Sequence, residues 1–381
     1  MALQSLSSEQ RAFVEAIRDF AQRECGTREQ REALTEGGRE VHNQAMYERV
    51  AELGWLGVTI PEEYGGSGGG AVEMCLMLEE VTRGMIPIGF VGVSMITAGA
   101  VGRFGSDEQK RELLGGIAGG RPECIAMSEP EAGSDVGNLS CRAELVDSHY
   151  VINGQKTWIT GAQAADHILL VCRTNRTEDK HQGISMISVP NGIEGVEVRG
   201  IETMGGREVN DVFFTDCRVS ADRLIGVQDQ GWRQLMAGLN HERLIIAAQA
   251  LGMAQRAFDD TLAYVKERKQ FGRPIGSFQA LKHRLADLAT EIEATRLLVY
   301  DVAYRSDADP SVTLPREASM AKLKATELAK HVTLEGMQMM GGYGYAVEYD
   351  MERHVRTALV TPIYGGTSEI QREIIARTLG L

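Results

Sequence analysis

The chain has 381 residues, 43% of them hydrophobic, and a formal net charge of −13. That length allows a large core or two to three domains, and the apolar content excludes a disordered chain. The acidic balance argues against a nucleic-acid partner, which needs a basic face.

Six cysteines (Cys25, Cys75, Cys124, Cys141, Cys172 and Cys217) include no Cys-x-x-Cys pair. They read as free thiols in a reducing, cytoplasmic setting, with no metal site and no disulfide framework. No basic, apolar leader opens the sequence, so no signal peptide is expected. Ser7-Ser8-Glu9-Gln10 fits a capping box, and Phe13, Ile17, Phe20 and Ala21 then recur at helical spacing. The run Tyr64-Gly65-Gly66-Ser67-Gly68 invites comparison with a phosphate loop. No βαβ unit surrounds it and no Gly-Lys-Ser/Thr ends it, so it reads as a flexible turn between helices. Residues 74–81 and 95–104 predict helices, and Ser106-Asp107-Glu108 starts another. Residues 84–102 carry no charge and are long enough to span a bilayer. Pro87, five glycines, Ser94 and Thr97 make the stretch a buried core helix preceded by a loop. No membrane partner is expected.

From about Cys124 the pattern changes to short strands. Tyr150-Val151-Ile152, Asn153-Gly154 and Lys156-Thr157-Trp158-Ile159 predict a β-hairpin with a two-residue turn. Residues 168–172, 184–189, 196–198 and 212–214 predict further strands, which suggests a small barrel or sandwich. From Gly231 the chain is helical again. Leu235, Leu239, Ile246, Ala250, Met253, Ala254 and Phe258 keep one core face through a very long helix. Arg268-Lys269-Gln270-Phe271-Gly272-Arg273-Pro274 ends it. Residues 281–303 and 315–341 predict two more long helices, the second opened by a proline in its first turn. Met337, Met339 and Met340 read as core filler.

The second of these helices runs into paired glycines, Gln338-Met339-Met340-Gly341-Gly342-Tyr343-Gly344-Tyr345. Such a helix end lets a large ligand approach the backbone. Another helix opens soon after, at Ile363-Tyr364-Gly365-Gly366-Thr367-Ser368-Glu369-Ile370, with good N-cap residues in Thr367 and Ser368. Together with Ser128-Glu129-Pro130-Glu131-Ala132-Gly133-Ser134-Asp135 and Trp158-Ile159-Thr160, these stretches resemble the acyl-CoA dehydrogenase flavoprotein family. Three motifs in the family's order carry the resemblance over almost the whole chain. It implies a mainly α fold with a central β domain: an N-terminal α-helical domain (1–122), a β-barrel or sandwich domain (123–226) and a C-terminal four-helix bundle (227–381). It also implies FAD, an acyl-CoA substrate, an electron-transfer flavoprotein as acceptor, fatty acid metabolism and a homotetramer built as a pair of dimers.

Oxidising a thioester at its α and β carbons needs a base for the α proton, a hydride acceptor, and donors to the carbonyl oxygen. No side chain accepts hydride, so a cofactor is required. By resemblance, FAD contacts fall at Ile125, Met127, Ser128, Gly133, Ser134, Trp158, Ile159 and Thr160. Arg268, Phe271 and Gln279 match the adenosine-diphosphate half. Gln338, Met339, Gly341, Gly342, Thr367, Ser368 and Glu369 match the remainder, partly from a neighbouring subunit. Without the resemblance, Trp158 is a hairpin core residue, Arg268 a solvated helix end and Gln338 a helix-surface amide. Substrate contacts are implied at Ser134, Leu239, Asn240, Arg243, Tyr364, Gly365 and Gly366, although Arg243 matches an arginine that also reads as structural.

One departure bears on the chemistry. Many members carry the catalytic glutamate directly after the tyrosine that matches Tyr364; here that position is Gly365. The isovaleryl and long-chain types place it on the long helix, and Glu242 stands at the matching position. The plain alternative is a solvated helical glutamate beside Arg243. If Glu242 is the base, a glutamate at position 365 is expected to restore some activity to a chain lacking it. Thr357 replaces the usual aspartate after Arg356, which puts local packing there in question. Residues 85–102 hold no arginine or lysine to grip a distal carboxylate, Arg83 being the possible exception. Three other readings stay open: dehydrogenation of a carrier-protein-bound acyl group, a catalytically silent flavoprotein or thioester-binding protein, and a flavin monooxygenase on the same fold.

Overall fold

The computed structural model describes residues 6–309 and 311–381. Helices come first: α1 (Ser8–Cys25), α2 (Arg28–Leu34), α3 (Gln44–Glu52), α4 (Ala71–Arg83), α5 (Val91–Phe104), α6 (Asp107–Gln109) and α7 (Gly115–Ala118). Strands follow: β1 (Cys124–Ala126), β2 (Arg142–Val146), β3 (His149–Thr160), β4 (His167–Arg173), β5 (Ile184–Pro190), β6 (Val196–Thr203), β7 (Gly206–Ser220) and β8 (Leu224–Ile225). The 37-residue α8 (Gly231–Glu267) leads to a small ribbon, β9 (Lys269–Gln270) and β10 (Arg273–Pro274). The chain closes with α9 (Gln279–Ala308), α10 (Pro315–Met340), α11 (Gly342–Tyr345), α12 (Met351–Val360) and α13 (Ser368–Thr378).

Local chemistry sets several boundaries. The predicted capping box forms: Gln10 N donates to Ser7 Oγ at 3.1 Å and Ser7 N to Gln10 Oε1 at 3.0 Å. Asn43 caps α3 and Thr367 caps α13 in the same way. Pro315 opens α10, where a missing N–H leaves nothing unsatisfied. The glycine-rich turn after α3 is more closely knit than expected. Ser67 N, Gly68 N and Gly69 N donate to Gly57 O, Ile60 O and Val58 O at 3.0, 2.9 and 2.7 Å. The uncharged stretch divides into a loop and α5, and no helix of the described residues is long and apolar enough to cross a membrane.

The predicted hairpin is differently placed. Asn153-Gly154 is not its turn; β3 runs straight through as one 12-residue strand, and the reversal lies at Asp147-Ser148, between β2 and β3. Gly154 instead marks a bulge against β7, where a Cβ would sit 2.7 Å from Cys141 Cα. Asn153 exchanges hydrogen bonds with Asp216 on the bulged partner. The strands form one open path, β6-β7-β3-β2-β4-β5-β8, with β1 paired in parallel to β4.

The contacts divide the chain into two compact units. One comprises Met1–Ala33, Gly70–Ile86 and Glu242–Leu381; the other comprises Leu34–Gly69 and Pro87–His241. In the first, α10 packs on α9, α12 and α13. Gly252 brings α8 against α4, since a Cβ there would lie 2.3 Å from Glu79 O. Buried Glu79 ties α4 to α9 by accepting from Arg296 Nε at 3.0 Å and Tyr300 Oη at 2.8 Å. The second unit holds the sheet and its two apolar cores. All six cysteines are buried and unpaired with one another, and burial pushes the thiols of Cys141 and Cys217 up to about 11.

Candidate functional site

In the second unit the 128–135 turn is braced from beneath by a buried carboxylate. Glu129 accepts from Ser140 N (2.6 Å), Ser140 Oγ (2.8 Å), Cys141 N (2.9 Å) and Lys156 Nζ (2.7 Å). Burial alone would raise its pKa; the Lys156 ammonium and these donors outweigh that and hold it below the usual carboxylate range. Lys156 is wholly buried and also donates to Met127 O at 2.9 Å. Thr157 N reaches Ser128 O at 3.0 Å, so the turn is stitched to β3. Gly133 and Ser134 are left exposed at its tip.

Trp158 is not a core residue. It sits where the β3–β7 register shifts, with φ of +62° and 60% of its surface exposed. A non-glycine residue in that region is strained, and strain kept at a bulge re-aims a side chain. Ile159 is buried in the sheet core and takes a hydrogen bond on its carbonyl from Asn210 at 2.9 Å. Thr160, Ile125 and Met127 are half-buried. Behind Thr160, Gly161 takes φ of +77° and lies so close to the Phe90 ring that a Cβ would meet it at 3.0 Å. Phe90 stacks on His42 at 4.2 Å, a backing that no sequence motif announced.

The first unit gathers the other predicted residues. Arg268 places its guanidinium 5.2 Å from the Tyr343 ring, joining the end of α8 to α11. Phe271 and Gly272 both take positive φ at the tip of the β9–β10 ribbon, and Phe271 is 94% exposed. Gln279, Gln338, Gly341 and Gly342 are exposed, with nothing within 4 Å of a Cβ on either glycine. Met339 is buried, as core filler should be. Glu369 is exposed in the first turn of α13. Ser368 is turned inward: its hydroxyl donates to Glu327 at 2.6 Å and its N–H to Pro362 O at 2.9 Å.

The centre of this unit is the approach of α8 to the turn before α13. A Cβ on Gly365 would lie 2.1 Å from Ile246 Cδ1 and 3.6 Å from Glu242 Oε1. Gly365 and Gly366 have φ of +61° and +81°, a conformation that favours glycine, and the atoms nearest an added Cβ are the ends of the Ile246 and Gln371 side chains. Glu242 is half-buried, and no hydrogen bond to its carboxylate occurs among the described residues. Burial raises its pKa, against the pull of Arg243 and Lys322. Arg243 is buried, Gly366 half-buried and Tyr364 exposed; Leu239 and Asn240, which belong to the second unit, are half-buried.

The sequence reading missed the two residues that hold this turn. Lys322 on α10 donates to Thr361 O at 3.1 Å and Gly366 O at 2.9 Å. Gln371 on α13 donates to Gly365 O and Gly366 O, each at 3.0 Å. A lysine on the otherwise small, apolar stripe Ala318, Ala321, Ala325 and Ala329 was the available signal. The Thr357 departure is accommodated locally: its hydroxyl donates to Arg353 O at 2.6 Å, and Arg356 pairs with Glu352. Arg83 is engaged by Asp259 at 2.8 Å.

In the second unit an indole aimed outward by a bulge accompanies an open turn tip, and in the first a helix end presents bare glycine backbone. Three family models match the chain: acyl-CoA dehydrogenase N-terminal domain (7–121), middle domain (124–217) and C-terminal domain (229–380). A Bacillus subtilis protein named probable acyl-CoA dehydrogenase YngJ is 39% identical over 383 residues, covering 98% of each chain. The caffeyl-CoA reductase-Etf complex subunit CarC of Acetobacterium woodii is 35% identical over 379 residues, again with 98% of each chain. The crystal structure of an acyl-CoA dehydrogenase from Geobacillus kaustophilus aligns with a TM-score of 0.92 at 34% identity, covering 99% of each chain.

Proposed function

Since the chain belongs to the acyl-CoA dehydrogenase family of FAD-dependent oxidoreductases, we propose that it converts an acyl-CoA thioester to the trans-2-enoyl-CoA, with Glu242 as the base. The observation that carries this reading is the pairing of Glu242 with a glycine at position 365. The turn offers no carboxylate, and the helix supplies one beside it. A carboxylate without hydrogen-bond partners, its pKa raised by burial, is a better proton acceptor for a weakly acidic carbon than a well-solvated one. The Gly365 N–H needs no side chain to polarise the thioester carbonyl. FAD, when bound, supplies the acceptor for the hydride that leaves the β carbon.

In this reading Trp158, Thr160, Ser134 and the 128–133 turn hold the flavin end. Arg268, Phe271, Gln279, Gln338, Gly341, Gly342, Thr367 and Glu369 hold the rest, and Ser368 acts only by shaping the α13 terminus. The three regions 1–122, 123–226 and 227–381 are the domains of the enzyme. The family resemblance supports a homotetramer. We assign the protein to the cytoplasm, to fatty acid metabolism, and to an electron-transfer flavoprotein as acceptor. The last is supported by the Etf complex named for the Acetobacterium relative.

The test is an anaerobic titration of the purified yellow protein with a panel of acyl-CoA thioesters. Bleaching of the flavin is expected with at least one of them. A fully loaded protein that no thioester bleaches returns the reading to a silent flavoprotein. Bleaching by carrier-bound acyl groups alone returns it to the carrier-protein alternative.

A further inference from the structure

Lys322 is wholly buried, yet it spends its two hydrogen bonds on neutral backbone carbonyls. Burying an ammonium is expensive, and a carbonyl clamp does not require one. Gln371 shows this within the same turn, holding Gly365 O and Gly366 O with a neutral amide. What the lysine adds is charge, delivered to the turn that faces the candidate base: Lys322 Nζ lies 2.9 Å from Gly366 O, and a Cβ on Gly365 would lie 3.6 Å from Glu242 Oε1.

Its two acceptors, Thr361 O and Gly366 O, bracket the turn, so Lys322 ties both ends together while Gln371 reinforces the Gly365-Gly366 end. A trans peptide is planar, so drawing the Gly365 and Gly366 carbonyls inward turns the following N–H groups the other way. Four charged groups act on Lys322: Glu242 and Arg243 from α8, Glu327 from α10 and Glu369 from α13. Arg243 and Lys322 act on Glu242.

We propose, resting on the reading of Glu242 as base, that Lys322 is a positioning residue for the reaction: it sets the 361–366 turn against α8 and supplies the charge that balances the Glu242 carboxylate. Burial lowers the pKa of Lys322 to about 8 against the pull of Glu242, Glu327 and Glu369. In its protonated form the lysine favours ionisation of Glu242.

Lys322→Gln separates the two roles, because the amide can still donate to the carbonyls but carries no charge. The readout is the pH profile of flavin bleaching by the best thioester. In Lys322→Gln, with FAD content retained, the acidic limb is expected to move up by about one pH unit. Lys322→Arg is expected to return the limb to its wild-type place. A limb that stays put in Lys322→Gln overturns the proposal, since a purely structural lysine would change stability or rate without moving it. Melting of the flavin-free protein from about pH 5 to about pH 9 supplies a readout independent of turnover. The stabilisation by Glu242→Gln at about pH 7, where Lys322 is still charged, should be larger in the Lys322→Gln background than with Lys322 present, and the difference should fade toward about pH 9. An equal stabilisation overturns the proposal. If Glu242→Gln turns over like the wild type, the base assignment fails, and the melting comparison still decides whether the two residues are coupled.

Discussion

The molecule contains two buried lysines near two glutamates, one pair in each unit, and it treats them oppositely. Lys156 gives its ammonium directly to Glu129 at 2.7 Å, and three further donors complete the shell of that carboxylate. Lys322 gives its ammonium to backbone carbonyls, and Glu242 is left with charge nearby but no hydrogen bond. Glu129 is accordingly held below the usual range and Glu242 above it. A carboxylate whose lone pairs are all taken is a fastener. One supported only through space keeps a lone pair for a proton.

Four outcomes test that contrast. The largest is expected in catalysis. Glu242→Gln should keep FAD and bind thioester, yet lose turnover by about a hundred- to ten-thousand-fold, measured by stopped-flow bleaching. Near-wild-type turnover would erase the distinction. The mirror experiment is Glu129→Ala, which strands Lys156 and should cost about 3–5 kcal/mol of stability in denaturant unfolding.

A smaller effect concerns moving the base. A glutamate at position 365 looked able to rescue a chain lacking Glu242. The structure argues otherwise, chiefly because the backbone has φ of +61°, which strains any side chain; the new Cβ would also displace the movable end of Ile246, whose Cδ1 lies 2.1 Å away. Gly365→Glu with Glu242→Gln should therefore stay inactive, and adding Ile246→Ala should recover part of the bleaching. Rescue without the Ile246 change would show that the turn yields more easily than its packing implies.

The smallest effect is on pH-dependent stability, and its sign differs between the two sites. With its folded pKa raised, Glu242 contributes fully at low pH and loses that contribution as pH rises through the raised value. With its folded pKa lowered, Glu129 contributes above the ordinary carboxylate range and loses it as pH falls through the lowered value. In flavin-free melting, Glu242→Gln should gain on the wild type as pH rises. The deficit of Glu129→Gln should shrink on acidification. Parallel trends in the two variants would contradict the comparison.

The helices and the order of motifs were legible because they rest on local chemistry: the Ser7–Gln10 box, Pro315 at a helix start, Thr367 at another. The strand that carries Trp158 was misread because Asn153-Gly154 has the composition of a tight turn. Only the partner strand decides between a turn and a bulge, and β7 chose the bulge. Trp158 as an exposed, strained residue was illegible for the same reason. Glu242 as the proposed base was reachable from the absence of a glutamate at position 365. Lys322, Gln371 and Ile246 were not, since their roles exist only once α8, α10 and α13 converge on one turn.

If Glu242 is the base, moving the acid from helix to turn asks for more than an exchange of two residues: position 365 must take a side chain at φ of +61°, and the end of Ile246 must move aside. A side chain with no part in the proposed chemistry thus bears on where an acid can stand.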